Sequence, residues 1–202
     1  MKRVLVTYAT HTGSTAEVAS AIGEELASMA QVEVRPIAEV KSIEGFDAVV
    51  IGGPMILGWH RQARSFLRRN RRLLGQAPFA IFVTAMSLTE TGEGKVNGVP
   101  VVVDERLPKP PQRRDRLTFK ERYARLSSYL RPVLRSVHPA RPRSIAVFAG
   151  RLEYGRLKWY EVMFVMVVLK APAGDRRNWP AIRAWASGLA ASLGLEGAPR
   201  AD

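Results

Sequence analysis

The stretch that most constrains this chain is Val4 to Leu26, VLVTYATHTGSTAEVASAIGEEL. Its opening run is apolar and β-branched, short enough for one strand, and apolar on both faces, which asks for burial inside a parallel sheet. At Thr10 the run gives way to small hydroxyl-bearing residues. From Thr15 the apolar positions Val18, Ala19, Ile22 and Leu26 recur at steps of three and four, which predicts a helix starting where the loop ends. Strand, loop and helix make half of a βαβ unit, and the remainder must supply further parallel strands.

The loop reads Thr10-His11-Thr12-Gly13-Ser14-Thr15. Hydroxyls at 10, 12, 14 and 15, backbone N–H groups near Gly13 and the positive end of a helix dipole converge on one small volume, which suits a phosphate. The loop holds no Lys or Arg. A nucleoside triphosphate calls for the Walker pattern with its Lys and a dinucleotide for a Gly-rich turn; neither is present. The ligand-free alternative is a turn rich in helix-capping residues. The pattern resembles that of flavodoxins, whose T-x-T-G-x-T loop holds the single phosphate of FMN. The resemblance implies that Thr10, His11, Thr12, Gly13, Ser14 and Thr15 form the phosphate site.

Further along, Val32 to Pro36 and Phe46 to Gly52 are predicted strands, the second apolar enough for a sheet centre. The loop after it, Pro54-Met55-Ile56-Leu57-Gly58-Trp59-His60, carries too many large apolar residues for a solvent turn. In flavodoxin-like proteins this loop lies along the flavin, so residues Pro54, Met55, Ile56, Leu57, Gly58 and Trp59 are candidate ring contacts. The alternative is that their side chains pack on the following helix. His60 is read as capping or preceding a helix over Gln62 to Leu74, with catalysis the lesser reading. Phe79 to Thr84 is the fourth strand, and Thr84, Ala85, Met86 and Ser87 begin a third loop bordering the ring. Thr89 to Arg116 is broken by Gly92, Gly94, Gly98, Pro100, Pro108, Pro110 and Pro111 and is expected as a surface insertion, with a brief edge strand over Val99 to Val103. Leu117 to Val137 is expected as one helix bent by Pro132. Ser144 to Ala149 is the fifth strand, and Asn178 to Leu193 the last helix.

These elements predict an α/β fold within one domain over 1–202: a doubly wound, five-stranded parallel sheet in the flavodoxin order 2-1-3-4-5, with FMN at the strands' carboxyl ends. Between the fifth strand and the last helix lies Arg151 to Lys170, where aromatic and basic residues precede the apolar run Val162 to Leu169. As a helix that run measures about 12 Å against roughly 30 Å for a bilayer core, so it cannot span. It is expected either in the core or at a lipid interface beside Trp159, Tyr160, Arg156, Lys158 and Lys170.

Composition narrows the chemistry. The 202 residues contain no cysteine, which excludes disulfides, thiolate catalysis and Fe–S clusters and leaves redox work to a bound organic cofactor. No metal site is expected. Lys and Arg number 31 against 18 Asp and Glu, a net charge of +13, which draws anionic partners. Basic clusters lie at Arg61 to Arg72, Arg113 to Arg116 and Arg141 to Arg143, without the interleaved aromatics of a nucleic-acid reader, so no nucleic acid is expected. Met1-Lys2-Arg3 runs directly into the first strand, and a cytoplasmic protein without a secretory leader is expected.

The succession THTGST, GGPMILGWH, SIAVFAGRLEYGRLKWYEVMFVMVVLKAPAGD and NWPAIRAWA resembles the menaquinone-dependent protoporphyrinogen oxidase family of flavodoxin-like proteins. The resemblance covers nearly the whole chain and departs from it in the 89–116 insertion. It implies an FMN oxidoreductase of haem biosynthesis that converts protoporphyrinogen IX to protoporphyrin IX and passes electrons to a membrane quinone. Arg151 to Lys170 follows the fifth strand at the carboxyl edge of the sheet and is expected as a peripheral membrane contact. No side chain is nominated as catalytic acid or base. An NAD(P)H-dependent quinone reductase, a flavodoxin-type electron carrier and a non-catalytic interaction module are the alternatives.

Overall fold

The computed structural model describes residues 1–55, 58–90, 92–113, 115–152 and 174–195. Strand β1 (Arg3–Tyr8) leads into helix α1 (Ser14–Leu26), followed by β2 (Gln31–Pro36), β3 (Ala48–Pro54), α2 (Arg61–Asn70) and β4 (Phe79–Ala85). Short strands β5 (Leu88–Thr89), β6 (Lys95–Val96), β7 (Val99–Val103) and β8 (Pro108–Lys109) precede helices α3 (Phe119–Tyr123) and α4 (Leu126–Val137). Then come β9 (Ser144–Ala149), a two-stranded ribbon of β10 (Arg151–Leu152) and β11 (Gly174–Asp175), and α5 (Trp179–Ser192).

The main sheet runs β2-β1-β3-β4-β9-β7-β6. Its first five strands are parallel and stand in the expected order, β9 being the expected fifth strand. Alternate residues feed two cores, as the two-residue period of a strand requires. Val4, Val6, Val50, Ala80, Phe82, Ala146 and Phe148 pack with α1 and α5 on one face, around Ile22, Leu26, Ile182 and Leu189. Leu5, Val49, Ile51, Ile81, Val83, Ile145 and Val147 pack with α2 and α4 on the other, around Phe66, Leu67, Leu130 and Val133. Gly52 serves this packing directly. A Cβ there would stand 1.9 Å from the Phe82 ring, which lies across the bare backbone.

Three elements differ from expectation. The sheet continues past β9, because β7 pairs parallel with it through Val101↔Ile145 and Val103↔Val147, and β6 closes the edge antiparallel. The segment expected as a surface insertion thus adds to the sheet and buries Val96, Val99, Asp104 and Leu107. Asp104, only 2% exposed, fixes it in place: its carboxylate accepts the N–H of Ala149 at 3.1 Å, the N–H of Arg106 at 3.0 Å and the Asn178 amide at 3.2 Å. The single helix expected over 117–137 is two, parted at Ala124 and Arg125. The Glu93 carboxylate supplies the reason, because it accepts the Ser127 N–H at 2.7 Å and starts α4 from more than thirty residues away. The helix expected to reach Leu74 ends at Asn70, with a 3-10 turn over Leu73–Gly75.

Register brings the functional loops together. Tyr8 lies opposite Gly52, Pro54 opposite Thr84, and Ala85 opposite Ala149, so β1, β3, β4 and β9 end side by side. Among the described residues no helix is long and apolar enough to cross a membrane. The run Val162 to Leu169 lies outside the described residues.

Candidate cofactor site

The loop between β1 and α1 is shaped from within. Gly13 takes φ 90°, a left-handed conformation that suits glycine. Its N–H donates to Thr10 Oγ1 at 2.9 Å and its carbonyl accepts the N–H groups of Ala16 and Glu17. The N-cap residue is Gly13, which has no side chain to cap α1. The N–H groups of Ser14 and Thr15, at the helix's first turn, have no intrahelical acceptor and belong to an anion-receptive terminus.

The hydroxyls of this loop divide. Thr10 is spent on the turn, and Thr15 Oγ1 lies 3.0 Å from Thr84 Oγ1 in a buried bond that ties the loop to the end of β4. Thr12 and Ser14 line a narrow cleft together with His11 and Thr15. Its other walls are Pro54 and Met55 after β3, Thr84, Ala85 and Met86 after β4, and Gly150, Arg151 and Leu152 after β9. Thr10, Gly13, Gly58, Trp59 and Ser87 are not among the residues that line it. Ile56 and Leu57 lie outside the described residues.

Trp59 takes the core position that its sequence context left open. It is 4% exposed, and its Nε1 donates to the Gly53 carbonyl at 3.0 Å. A Cβ on Gly53 would meet both this indole and Ala63 of α2. Met55 and Trp59 form a bridge, and the His60 N–H donates to the Pro54 carbonyl at 3.2 Å. His60 caps α2 as expected, its Nδ1 accepting the Gln62 N–H at 3.3 Å. Burial holds the His60 pKa below its ordinary value, and the neighbouring His11 adds to that, the two rings lying 4.4 Å apart.

The cation missing from the loop arrives from the far end of the chain. Arg151 at the cleft wall pairs with Glu17 of α1 at 2.8 Å. Glu17 pairs in turn with Arg177 at 2.6 Å, and Arg177 grips Asp175 through Nε at 2.8 Å and its terminal nitrogen at 2.5 Å. The Arg177 side chain is 3% exposed, and its guanidinium lies 4.4 Å over the Trp179 ring. Arg177 is the first cause that holds both Glu17 and Asp175 below the usual carboxylate range, so both stay ionised and bind the β10–β11 ribbon to α1's first turn. Sequence reasoning missed Gly150 and Leu152 as walls and assigned Arg151 elsewhere. The available signal was position: all three follow a central strand's carboxyl end, where doubly wound folds bind ligands.

A helix terminus with glycine at its N-cap, beside Thr12 and Ser14 and opening between the apolar walls of Met55, Ala85, Met86 and Leu152, fits a flavin carrying one phosphate. Residues 5–178 match the family model of the flavodoxin domain, and the chain belongs to that family. Its cofactor is FMN, and its class is that of the FMN-dependent oxidoreductases. At finer grain, the chain is 25% identical over 177 residues to the protoporphyrinogen IX dehydrogenase [quinone] of Escherichia coli strain K12, covering 86% of this chain and 82% of that one. The Escherichia coli O157:H7 protein of the same name gives the same figures. Among solved structures, the Fusobacterium nucleatum flavodoxin bound to flavin mononucleotide is 13% identical with a TM-score of 0.45, covering 96% of this chain and 99% of that one. A point mutant of the Pseudomonas aeruginosa flavodoxin is 10% identical with a TM-score of 0.48, over 95% and 99%.

Proposed function

We propose that this protein oxidises protoporphyrinogen IX and delivers the electrons to a membrane quinone. The observation that carries the reading is the similarity, along most of both chains, to a relative named for that dehydrogenation. Thr12, Ser14 and the first-turn N–H groups of α1 hold the phosphate. Met55, Ala85, Met86 and Leu152 keep water from the reacting face. FMN, when bound, supplies two-electron acceptor chemistry that no side chain of a cysteine-free chain offers. Arg151, fixed at the cleft wall by Glu17, is the cation placed to meet a substrate carboxylate, and the surrounding positive charge raises the local concentration of an acidic porphyrinogen. Each pair of hydrogens taken from the substrate leaves as one quinol.

The test is anaerobic mixing of FMN-loaded protein with protoporphyrinogen IX while flavin absorbance is followed. Bleaching, then recovery on adding a quinone, is the expected result. An unbleached flavin that NAD(P)H reduces instead would overturn the substrate assignment in favour of an NAD(P)H-dependent quinone reductase.

A further inference from the structure

Beside the cofactor cleft stands a short helix whose charges are sorted by side. Helix α3 opens on a capping box: Thr118 Oγ1 accepts the Glu121 N–H at 3.3 Å, while the Glu121 carboxylate accepts the N–H of Thr118 at 2.6 Å and that of Gln112 at 2.7 Å. Glu121 is therefore occupied with backbone. Arg113, Arg116, Lys120 and Arg122 are exposed around it, and over the described residues 112–123 Asp115 is the exposed acid facing solvent with them.

An apolar strip runs through this basic surface. Phe119 and Tyr123 are four residues apart, on one face of α3, and are 77% and 40% exposed. Tyr123 anchors the strip at the cleft loops. Its ring stands edge-on to Tyr129 at 5.9 Å, the Tyr129 hydroxyl donates to the Ser87 carbonyl at 3.2 Å, and its own hydroxyl lies 3.9 Å from where a Cβ on Gly58 would stand. Thr89, two residues beyond Ser87, fastens α3 from below: its N–H donates to the Ala124 carbonyl and its hydroxyl to the Glu121 carbonyl, each at 2.9 Å. The strip thus begins at the loops after β3 and β4 that border the flavin site and ends with an uncovered phenyl ring.

We infer that this face of α3 is a docking surface for an anionic lipid bilayer, with Phe119 entering the acyl boundary and the four cations meeting the headgroups. A single projecting aromatic ringed by long basic side chains matches an interface where the stems of Lys and Arg lie along apolar surface and their heads stay with phosphate. It is too narrow an apolar patch for the desolvated centre of a protein–protein interface. The surface would set the cleft mouth at the depth where a lipid-soluble acceptor lies, and to that extent it rests on the quinone reading above.

The experiment is co-sedimentation of the FMN-loaded full chain with vesicles of phosphatidylcholine alone and of phosphatidylcholine with phosphatidylglycerol. Wild type is expected on the anionic vesicles and to be largely absent from the neutral ones. Phe119→Ser is expected to weaken anionic binding about tenfold, and Lys120→Glu with Arg122→Glu by more, since each basic residue near such a surface contributes about fivefold that salt screens. All three side chains are exposed, so the variants should keep FMN and reduce a water-soluble quinone at the wild-type rate. Anionic binding unchanged in both variants would overturn the inference, as would a wild type that ignores anionic vesicles. The substrate reading fails separately, by an unbleached flavin in the absence of any lipid.

Discussion

The loop from Thr10 to Thr15 and the segment from Thr89 to Arg116 both follow a parallel strand of the main sheet, yet they are held in different ways. The first is set by its own residues: Thr10 reaches three positions ahead to Gly13, and Gly13 starts the helix. The second is set by partners far along the chain, with Asp104 tied to Ala149 and Asn178 and Glu93 to Ser127. The turn takes its shape chiefly from its own residues, with the Thr15–Thr84 hydroxyl bond fastening it to the end of β4. A non-locally determined segment supplies support, and here it extends the sheet beside β9 and carries α3 to the cleft.

Removing the non-local tie should give the largest effect. Asp104→Ala leaves the buried Ala149 N–H and Asn178 amide without their acceptor, each worth about 1–3 kcal/mol, so urea unfolding should show a loss of about 3–5 kcal/mol. A loss below about 1 kcal/mol would mean that the insertion holds itself, and the contrast with the loop would collapse. Thr12→Ala with Ser14→Ala probes the local region. It should leave stability within about 1 kcal/mol while weakening FMN by two orders of magnitude or more, because each hydroxyl bond to a charged acceptor is worth roughly 1.5–3 kcal/mol. Titration of the double variant measures this, and unchanged affinity would return the loop to a simple capping turn.

The smallest effect lies at the boundary of the site. The His60 pKa is depressed below its ordinary 6.5, so its contribution is complete above that pH and is lost as pH falls through the depressed value. Protonation removes the Nδ1 acceptor that caps α2 and places a positive charge beside the His11 ring. The cost is at most about 1 kcal/mol in a half-exposed pair. Thermal melts should show a shallow loss of stability from pH 7 to pH 5 that His60→Asn, which keeps a capping oxygen, removes.

What was legible in the sequence follows the same division. The order of five strands, the His60 cap, the Val99–Val103 strand and the strand-to-helix turn at Thr10 to Thr15 depend on runs, periods and neighbours within a few residues. The break between α3 and α4 depends on Glu93, which no local pattern connects to Ser127, although Thr118-x-x-Glu121 is a capping box visible in the sequence. Arg151 and Arg177 were equally hidden, because their common partner Glu17 is more than 130 positions away. Trp59 was legible as large and apolar but not as buried, since either the core or a ligand could have covered it.

The central claim is that the glycine-capped start of α1 grips a single phosphate, and titrating the wild-type apoprotein with FMN and with riboflavin tests it directly. The two share the ring and differ in the phosphate. Riboflavin should bind at least a hundredfold more weakly, the loss of several charge-assisted hydrogen bonds, and equal affinity for both would contradict the account.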